Sequence, residues 1–143
     1  MANALFDPGR EGFLDGTIDW DTAVIKVALV RSYTFSAAHK FVSEVTGASG
    51  VLHVTSAAGL ASKTVTNGVA DAADLTFTAV TANAGNHSIL IFQASAVTGG
   101  GDVAASAQRL IAWIDTGTNL PVVPNGGDVT IAWDSGTNRI FKL

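Results

Sequence analysis

The sequence predicts an all-β fold: an antiparallel two-sheet β-sandwich of jelly-roll type, with one short helix and an N-terminal arm. Short runs rich in Val, Ile and Thr alternate with turn signals made of Gly, Asn, Asp and Pro. Helical segments do not recur between those runs, so the crossovers of a parallel α/β fold are missing. The strand order stays open, and an immunoglobulin-like sandwich is the second interpretation. The 143 residues fit one domain, 1–143, in which 1–17 form the arm.

The arm, "MANALFDPGREGFLDGT", is apolar but is interrupted by residues that break regular structure. Asp7 is placed to cap a single helical turn that begins at Pro8, a favoured first helical position, and Gly16 is placed to end that turn. Gly12 breaks the segment again. We therefore expect neither a long helix nor a long strand here.

The large apolar side chains of the arm indicate an assembly. Leu5 and Phe6 are expected to form a detachable part, and Phe13 and Leu14 to face inward or toward a neighbouring subunit. Only 14% of the residues are charged and the mean hydropathy is +0.35, which describes a weakly charged, rather apolar surface. Large apolar patches more often mark contact surfaces than free ones. The sequence therefore favours a homo-oligomer, a homodimer or something larger, over a monomer.

The most apolar strand is predicted over 22–31, "TAVIKVALVR". Both of its faces are apolar, so we expect it to be central in its sheet and covered on both sides. The next segment changes to helical spacing. The one helix is expected within 35–46, with Ser36 as its N-cap and Gly47 as its stop.

From Val51 onward the sequence alternates between strands and turns. "KTVTNGVAD" contains Asn67-Gly68, a strong signal for a two-residue hairpin turn. The other predicted strands are "VLHVTS", "DLTFTAV", "HSILIFQA", "QRLIAWID", "DVTIAW" and "RIFKL". The residues expected to be mostly buried are Ile25, Val27, Leu29, Leu75, Phe77, Ile89, Ile91, Leu110, Ala112 and Ile131.

Composition argues against several classes of protein. The chain has no cysteine, which excludes disulfides, thiolate metal sites and cysteine nucleophiles. Its net charge of −4 is spread without a basic run, which argues against nucleic-acid binding. No run of about 18 apolar residues is present, and no basic segment precedes an apolar one at the N-terminus. We therefore expect no membrane contact and no secretion, and synthesis in a cytoplasm.

Motifs for catalysis or metal binding are not recognised either. His39, His53 and His87 have neither paired spacing nor a shared carboxylate cluster, so we expect them to stay apart and to bind no metal. The aspartates within 15–21 lack the alternating run, the glycine and the closing glutamate of a calcium loop. No serine lies in G-x-S-x-G, and the glycines at 99–101 lack the spacing and ending of a phosphate-binding loop. The sequence predicts no enzyme and no cofactor.

The three tryptophans, Trp20, Trp113 and Trp133, each lie in or beside a predicted strand, with an aspartate nearby. Exposed tryptophans could stack on a sugar. The commoner role is a core or interface position in which the indole N–H finds a partner near a strand end, and this is the interpretation that we favour.

Three stretches together resemble small structural proteins of tailed-phage heads. They are "MANALFDPGREGFLDGTIDWDTAVIKVALV", "ASKTVTNGVADAADLTFTAV" and "RLIAWIDTGTNLPVVPNGGDVTIAWDSGTNRIFKL". They resemble the capsid cement, or head decoration, proteins, such as the jelly-roll cement protein of a Bordetella podophage. The likeness covers most of the chain and is weakest in 32–50 and 94–107. It carries no catalytic motif.

The resemblance implies a dimeric virion protein on the outer surface of the capsid. It would bind the major capsid protein, clamp neighbouring capsid subunits and so stabilise the shell. A tail- or fibre-associated glycan-binding module is the alternative. A virion-associated hydrolase is a third possibility and would need converging titratable groups in a pocket. The candidate interface residues are Leu5, Phe6, Phe13, Leu14, Trp20 and Phe141.

Overall fold

The computed structural model describes residues 3–48 and 51–143, so Met1 and Ala2 of the predicted arm lie outside the described residues. The described residues form ten strands and two helices. The strands are β1 (Ala4–Leu5), β2 (Ile25–Arg31), β3 (Val51–Thr55), β4 (Thr64–Thr66), β5 (Val69–Asp71), β6 (Leu75–Phe77), β7 (His87–Gln93), β8 (Arg109–Ile114), β9 (Val129–Ile131) and β10 (Phe141–Lys142). The helices are α1 (Asp7–Asp15) and α2 (Val42–Ala48), and neither is long and apolar enough to cross a membrane.

The strands form three sheets in the part of the chain that the structure describes. The largest has five strands in the order β1-β8-β7-β2-β3, the second has the order β10-β5-β4, and the third pairs β6 with β9. Every pairing between these strands is antiparallel. The predicted β-rich, antiparallel class is therefore confirmed, as is the central position of β2 between β7 and β3.

Apolar side chains cover both faces of the five-stranded sheet. On one face Leu29 belongs to a cluster shared with the smaller sheets, for example with Phe77 of β6. On the other face Leu90 packs in a second cluster with Val45 of α2. The residues predicted to be mostly buried are buried, except for Leu75, which is half-buried. In the described residues its strand β6 pairs with β9 alone, which leaves it more open than the central strands of the large sheet.

The predicted hairpin turn is confirmed between β4 and β5. Asn67 has a φ of 54° and Gly68 a φ of 77°, so both residues adopt the left-handed conformation of a type I′ turn. Thr66 pairs with Val69 directly across the turn. A two-residue signal in the sequence is sufficient here because the turn chemistry is entirely local.

The second helix is present but begins later than predicted. Ser36 lies outside α2, and the helix continues through Gly47, so both predicted ends were wrong. Glu44 helps to start α2, because its Oε2 accepts hydrogen bonds from the backbone N–H of Lys40 at 2.6 Å and of Phe41 at 2.7 Å. A carboxylate in the first turn that reaches back to the N-terminus is half of a capping box. This signal was available in the sequence and was missed.

The first helix is longer than the single turn predicted for the arm. It runs for nine residues, Phe6 rather than Asp7 occupies the N-cap position, and Gly12 lies inside the helix instead of breaking it. Gly16, at a φ of 77°, ends α1 in the left-handed conformation as predicted. A Cβ atom added to Gly9 would lie 2.8 Å from the carbonyl oxygen of Leu110. The glycine therefore allows α1 to lie directly against the backbone of β8.

Candidate functional site

The N-terminal segment is part of the protein's own core and not a detachable arm. Phe6 is fully buried, and its ring centroid lies 5.1 Å from that of Phe35. Its backbone N–H donates to the carbonyl of Ile111 at 3.0 Å. Leu5 pairs with Ala112 at the edge of the large sheet. The expectation that Leu5 and Phe6 detach to hold a partner is therefore wrong, because removing them would open the core.

The other candidate interface residues separate into buried and exposed ones. Trp20 is only 4% exposed, its indole N–H donates to the carbonyl of Asp71 at 3.3 Å, and its ring meets Phe141 edge-on at 5.2 Å. Phe13 lies 5.8 Å from Phe141, and both are half-buried. Leu14 is 89% exposed. Of this set, Trp20 belongs to the core, and the exposed side chain of Leu14 can contact another molecule.

A hollow of about 240 Å³ opens beside these residues, and its lining is mostly apolar. Val65, Ala70 and Phe141 pair across β4, β5 and β10 and form one row of it. Val65 and Leu143, each 56% exposed, lie at its open side. We call this surface the apolar hollow. Its main lining residues are Phe13, Ile18, Trp20, Val65, Ala70, Phe141 and Leu143.

The apolar hollow lies next to an open sheet edge. β4 is the last strand of its sheet, all three of its residues are exposed, and none is charged. Charged side chains, especially lysines, commonly protect such edges from pairing with other chains. The adjacent Lys63 donates its Nζ hydrogen bond to the carbonyl of Ala23 instead. The edge of β4 is therefore accessible to a strand from another chain.

A second, more polar concavity lies at the end of β8 and along β9. This polar groove has a volume of about 750 Å³. Trp133 lines it, half-buried, and its indole N–H donates to the carbonyl of Ala73 at 3.0 Å. Asn119, Asp128 and Arg139 also line the groove. It therefore combines one aromatic ring with hydrogen-bonding and charged groups of both signs.

Two of the histidines come together, which contradicts the expectation that all three stay apart. Nδ1 of His53 lies 3.1 Å from Nε2 of His87, and the ring centroids are 5.0 Å apart. His39 is elsewhere, with Nδ1 2.8 Å from the hydroxyl of Tyr33. His53 lies on β3 and His87 on β7, with β2 between them. Sequence spacing did not show this proximity because it depends on the order of the strands in the sheet.

The aspartates that were considered for a calcium loop form local turns. Asp19 accepts hydrogen bonds from the hydroxyl of Thr22 at 2.5 Å and from the backbone of Asp21 and Thr22, and these bonds lower its pKa to about 2. Asp15 accepts from the hydroxyl of Thr17 at 2.6 Å. Within residues 3–48 and 51–143, no three His, Asp or Glu side chains group closely enough to hold a metal ion.

Comparisons with known protein families, with curated protein sequences and with solved structures find no match for this chain. The apolar hollow, the polar groove and the sequence resemblance are therefore the features on which a functional proposal can be based.

Proposed function

We propose that this protein is a capsid decoration protein, a structural component that binds the outer surface of a phage head and clamps neighbouring major capsid subunits. The observation that carries the proposal is the apolar hollow beside the uncharged edge of β4. The sequence resemblance to cement proteins supplies the identity of the partner. The predicted two-sheet sandwich of jelly-roll type is part of the same proposal.

The edge of β4 offers main-chain hydrogen bonds to a partner strand. In a two-residue hairpin the residues that flank the turn, here Thr66 and Val69, bond to each other, so the N–H and C=O of Val65 point away from β5. An extended segment of a capsid subunit can add to this edge and place an apolar side chain in the hollow. In this mode of binding, main-chain hydrogen bonds supply the affinity and the pocket supplies the selectivity.

The composition of the surface keeps the desolvation free energy of such contacts small. Few charged groups have to lose water when the hollow is covered, and each large apolar side chain that becomes buried contributes roughly 1.5–3 kcal/mol. A shell repeats the same contact many times. If a second copy of the chain is joined to the first as a homodimer, simultaneous attachment at two sites raises the overall affinity further.

The proposal places the protein on the virion, at the outer face of the capsid, after synthesis in the host cytoplasm. Its partners are the major capsid protein and a second copy of itself. The proposed role needs no catalytic group, no cofactor, no nucleic acid and no membrane.

Val65→Lys is expected to weaken binding to capsids at least tenfold, because it places a charge in the apolar hollow and a lysine on the open edge. The fold should persist, since Val65 is 56% exposed. Co-sedimentation with phage heads that lack the protein measures binding, and thermal unfolding measures stability. Val123→Lys is the matched control, because Val123 is 52% exposed and is not among the residues that line the hollow. Equal binding by Val65→Lys and the wild type would contradict the proposed contact.

A second candidate function, glycan binding in a tail- or fibre-associated module, is favoured by one specific observation. Trp133 lines the polar groove together with Asn119, Asp128 and Arg139. An aromatic face suits the apolar face of a sugar ring, and amide, carboxylate and guanidinium groups suit its hydroxyls.

If this second function holds, calorimetric titration with soluble oligosaccharides of the host surface gives a Kd below about 1 mM for at least one of them. Trp133→Ala should then raise the Kd at least tenfold, because it removes the stacking surface. Trp133→Phe should raise it less, since it keeps an aromatic ring, although that ring is smaller and lacks the bond to Ala73. Absence of binding across the panel, with the protein still folded, eliminates this candidate.

A further inference from the structure

His87 joins several parts of the fold at the first position of β7. The residue is fully buried and lies opposite Arg31 of β2. Its backbone N–H donates to the carbonyl of Val122 at 2.8 Å, and the N–H of Val122 donates back at 3.1 Å. Its side chain meets His53 of β3. One residue therefore connects β2, β3 and the segment 120–124.

The hydrogen bonds of His87 define the tautomers of both rings. Nδ1 of His87 lies 2.9 Å from the carbonyl oxygen of Gly85, which can only accept, so Nδ1 carries the hydrogen. In a neutral ring Nε2 is then an acceptor. His53 must therefore donate from its own Nδ1 across the 3.1 Å contact. The carbonyl of Gly85 and the two imidazoles form a directed chain when both rings are neutral.

His53 lies at a β-bulge in β3. Leu29 of β2 pairs with Val54, whereas Val30 pairs with Leu52, so His53 is the extra residue on β3. Bulges re-aim the side chain at the irregular position. Here the bulged residue has its imidazole against that of His87, although the two strands are not neighbours in the sheet.

The charged side chain beside the His53–His87 pair is that of Arg31, which is positive. Arg31 donates from Nη1 to Oδ1 of Asn83 at 2.7 Å and to the carbonyl of Ala84 at 3.3 Å. Its Nε is buried, and the described residues provide no hydrogen-bond partner for it. Residues 83–85 and 120–124, which also pack here, contain no ionisable side chain. The first acidic residue beyond β8, Asp115, accepts a hydrogen bond from the hydroxyl of Thr116 at 3.0 Å.

These surroundings disfavour a proton on His87. Burial lowers the pKa of His87, and the positive charges of His53 and Arg31 lower it further, against the opposing effect of the bond to the carbonyl of Gly85. A proton on His87 turns its Nε2 into a donor, so the bond between the rings survives only if His53 adopts its other tautomer and accepts, and the added charge then lies beside Arg31. Two protons make both facing nitrogens donors, and the hydrogen bond between the rings is lost.

We propose that His53 and His87 form an acid-sensitive lock, which holds β3 and the segment 120–124 against β7 at neutral pH and releases them in mildly acidic solution. The inference goes beyond capsid decoration and glycan binding and depends on neither.

The direction of the pH effect follows from the difference between the folded and unfolded states. The pKa of His87 in the folded protein lies below the ordinary value of 6.5, which the unfolded chain retains. As the pH falls below 6.5, the unfolded or locally opened state takes up a proton first, so stability decreases and then levels off below the folded pKa. The equilibrium constant for opening rises by at most about tenfold per pH unit for each proton taken up.

Hydrogen exchange at about pH 7.5 and about pH 5, corrected for the intrinsic exchange rate, tests the lock. The wild type should show faster exchange at the lower pH for the amides of Val122, His87 and β3, relative to those in the middle of β7. His53→Asn keeps an N–H donor where Nδ1 was but cannot be protonated, so its acid response should decrease. In the double variant His53→Asn, His87→Gln the response should disappear. His39→Asn, which alters a histidine outside the pair, should keep it.

A second measurement does not depend on whether the variants fold. Nitrogen NMR of the wild-type imidazoles at neutral pH should show hydrogen on Nδ1 of both His53 and His87. Hydrogen on Nε2 of His87 would overturn the assigned chain. An acid response of the double variant equal to that of the wild type, or a wild type that shows none, would overturn the lock.

Discussion

Replacement of Phe6 by alanine is expected to lower the free energy of unfolding by about 3–5 kcal/mol, the range for deleting a buried phenylalanine ring. Phe6 is 0% exposed and packs between β8 and the segment that contains Phe35. The β1 backbone on one side and α1 on the other hold the residue in place, so the surroundings can close the cavity only in part. Chemical denaturation, analysed for both midpoint and slope, measures the loss.

Leu14→Ala is the matched control from the same segment. Leu14 is 89% exposed, so its truncation should change the stability by no more than about 0.5 kcal/mol. If Phe6→Ala were equally mild, the N-terminal segment would be the detachable arm that its sequence suggests. The burial of Phe6 also bears on truncation experiments: deleting residues 2–6 removes β1 together with Phe6. Weaker capsid binding by such a protein would then report unfolding, not a lost contact.

Gly9→Ala is expected to destabilise the protein by about 1–3 kcal/mol, as over-packing does. The new Cβ would lie 2.8 Å from the carbonyl oxygen of Leu110 and 3.1 Å from that of Ile111. Both are backbone atoms of a paired strand, so α1 would have to move away from β8. In an exposed helix the same substitution would stabilise the protein by about 1 kcal/mol. The sign of the measured change therefore shows whether α1 rests on the backbone of β8.

Gly101→Ala provides the comparison for Gly9→Ala. A Cβ atom added to Gly101 would have no atom within 4 Å outside its own residue and its two chain neighbours, so we expect a change within about 0.5 kcal/mol. Thermal or chemical unfolding of both variants measures the difference. Stabilisation by Gly9→Ala would mean that α1 does not rest on the backbone of β8.

The features that the sequence predicted correctly have local causes. β2 and β7 were recognisable because apolar residues occupy both of their faces, as expected for strands covered on both sides. The turn at Asn67 and Gly68 was recognisable because few residues adopt two consecutive left-handed conformations easily. Trp20 and Trp113 were expected in the core or an interface with bonded indole N–H groups, and both are buried and donate hydrogen bonds.

The N-terminal segment was misinterpreted because helix propensity and tertiary packing oppose each other there. Gly9 and Gly12 lower the intrinsic stability of a helix, so the sequence predicted a single turn. Both glycines are buried, and α1 nevertheless runs for nine residues. Contact with β8 outweighs the propensity, and that contact involves residues far along the chain. A local pattern could not reveal it.

The convergence of His53 and His87 was missed for a related reason. Two residues on strands that flank a third can meet only if the strand order and the register are known. The sequence predicted strands at both places but left their order open, and the bulge at His53 has no sequence signal of its own. The apolar hollow and the polar groove likewise combine segments that are distant in the sequence.

The pairing of β1 with β8 has a consequence for how the chain folds during synthesis. Asn3 donates from its side chain to the carbonyl of Thr116 at 2.9 Å, although the two residues are 113 positions apart. At translation rates of about 5–20 residues per second, β1 is synthesised several seconds before its partner β8. During that interval Phe6 and Leu5 have no completed core to enter, and such long-range closure is slow in itself. The residues of β1 leave the ribosome before those of β8, and they are therefore among the last of this fold to reach their final positions.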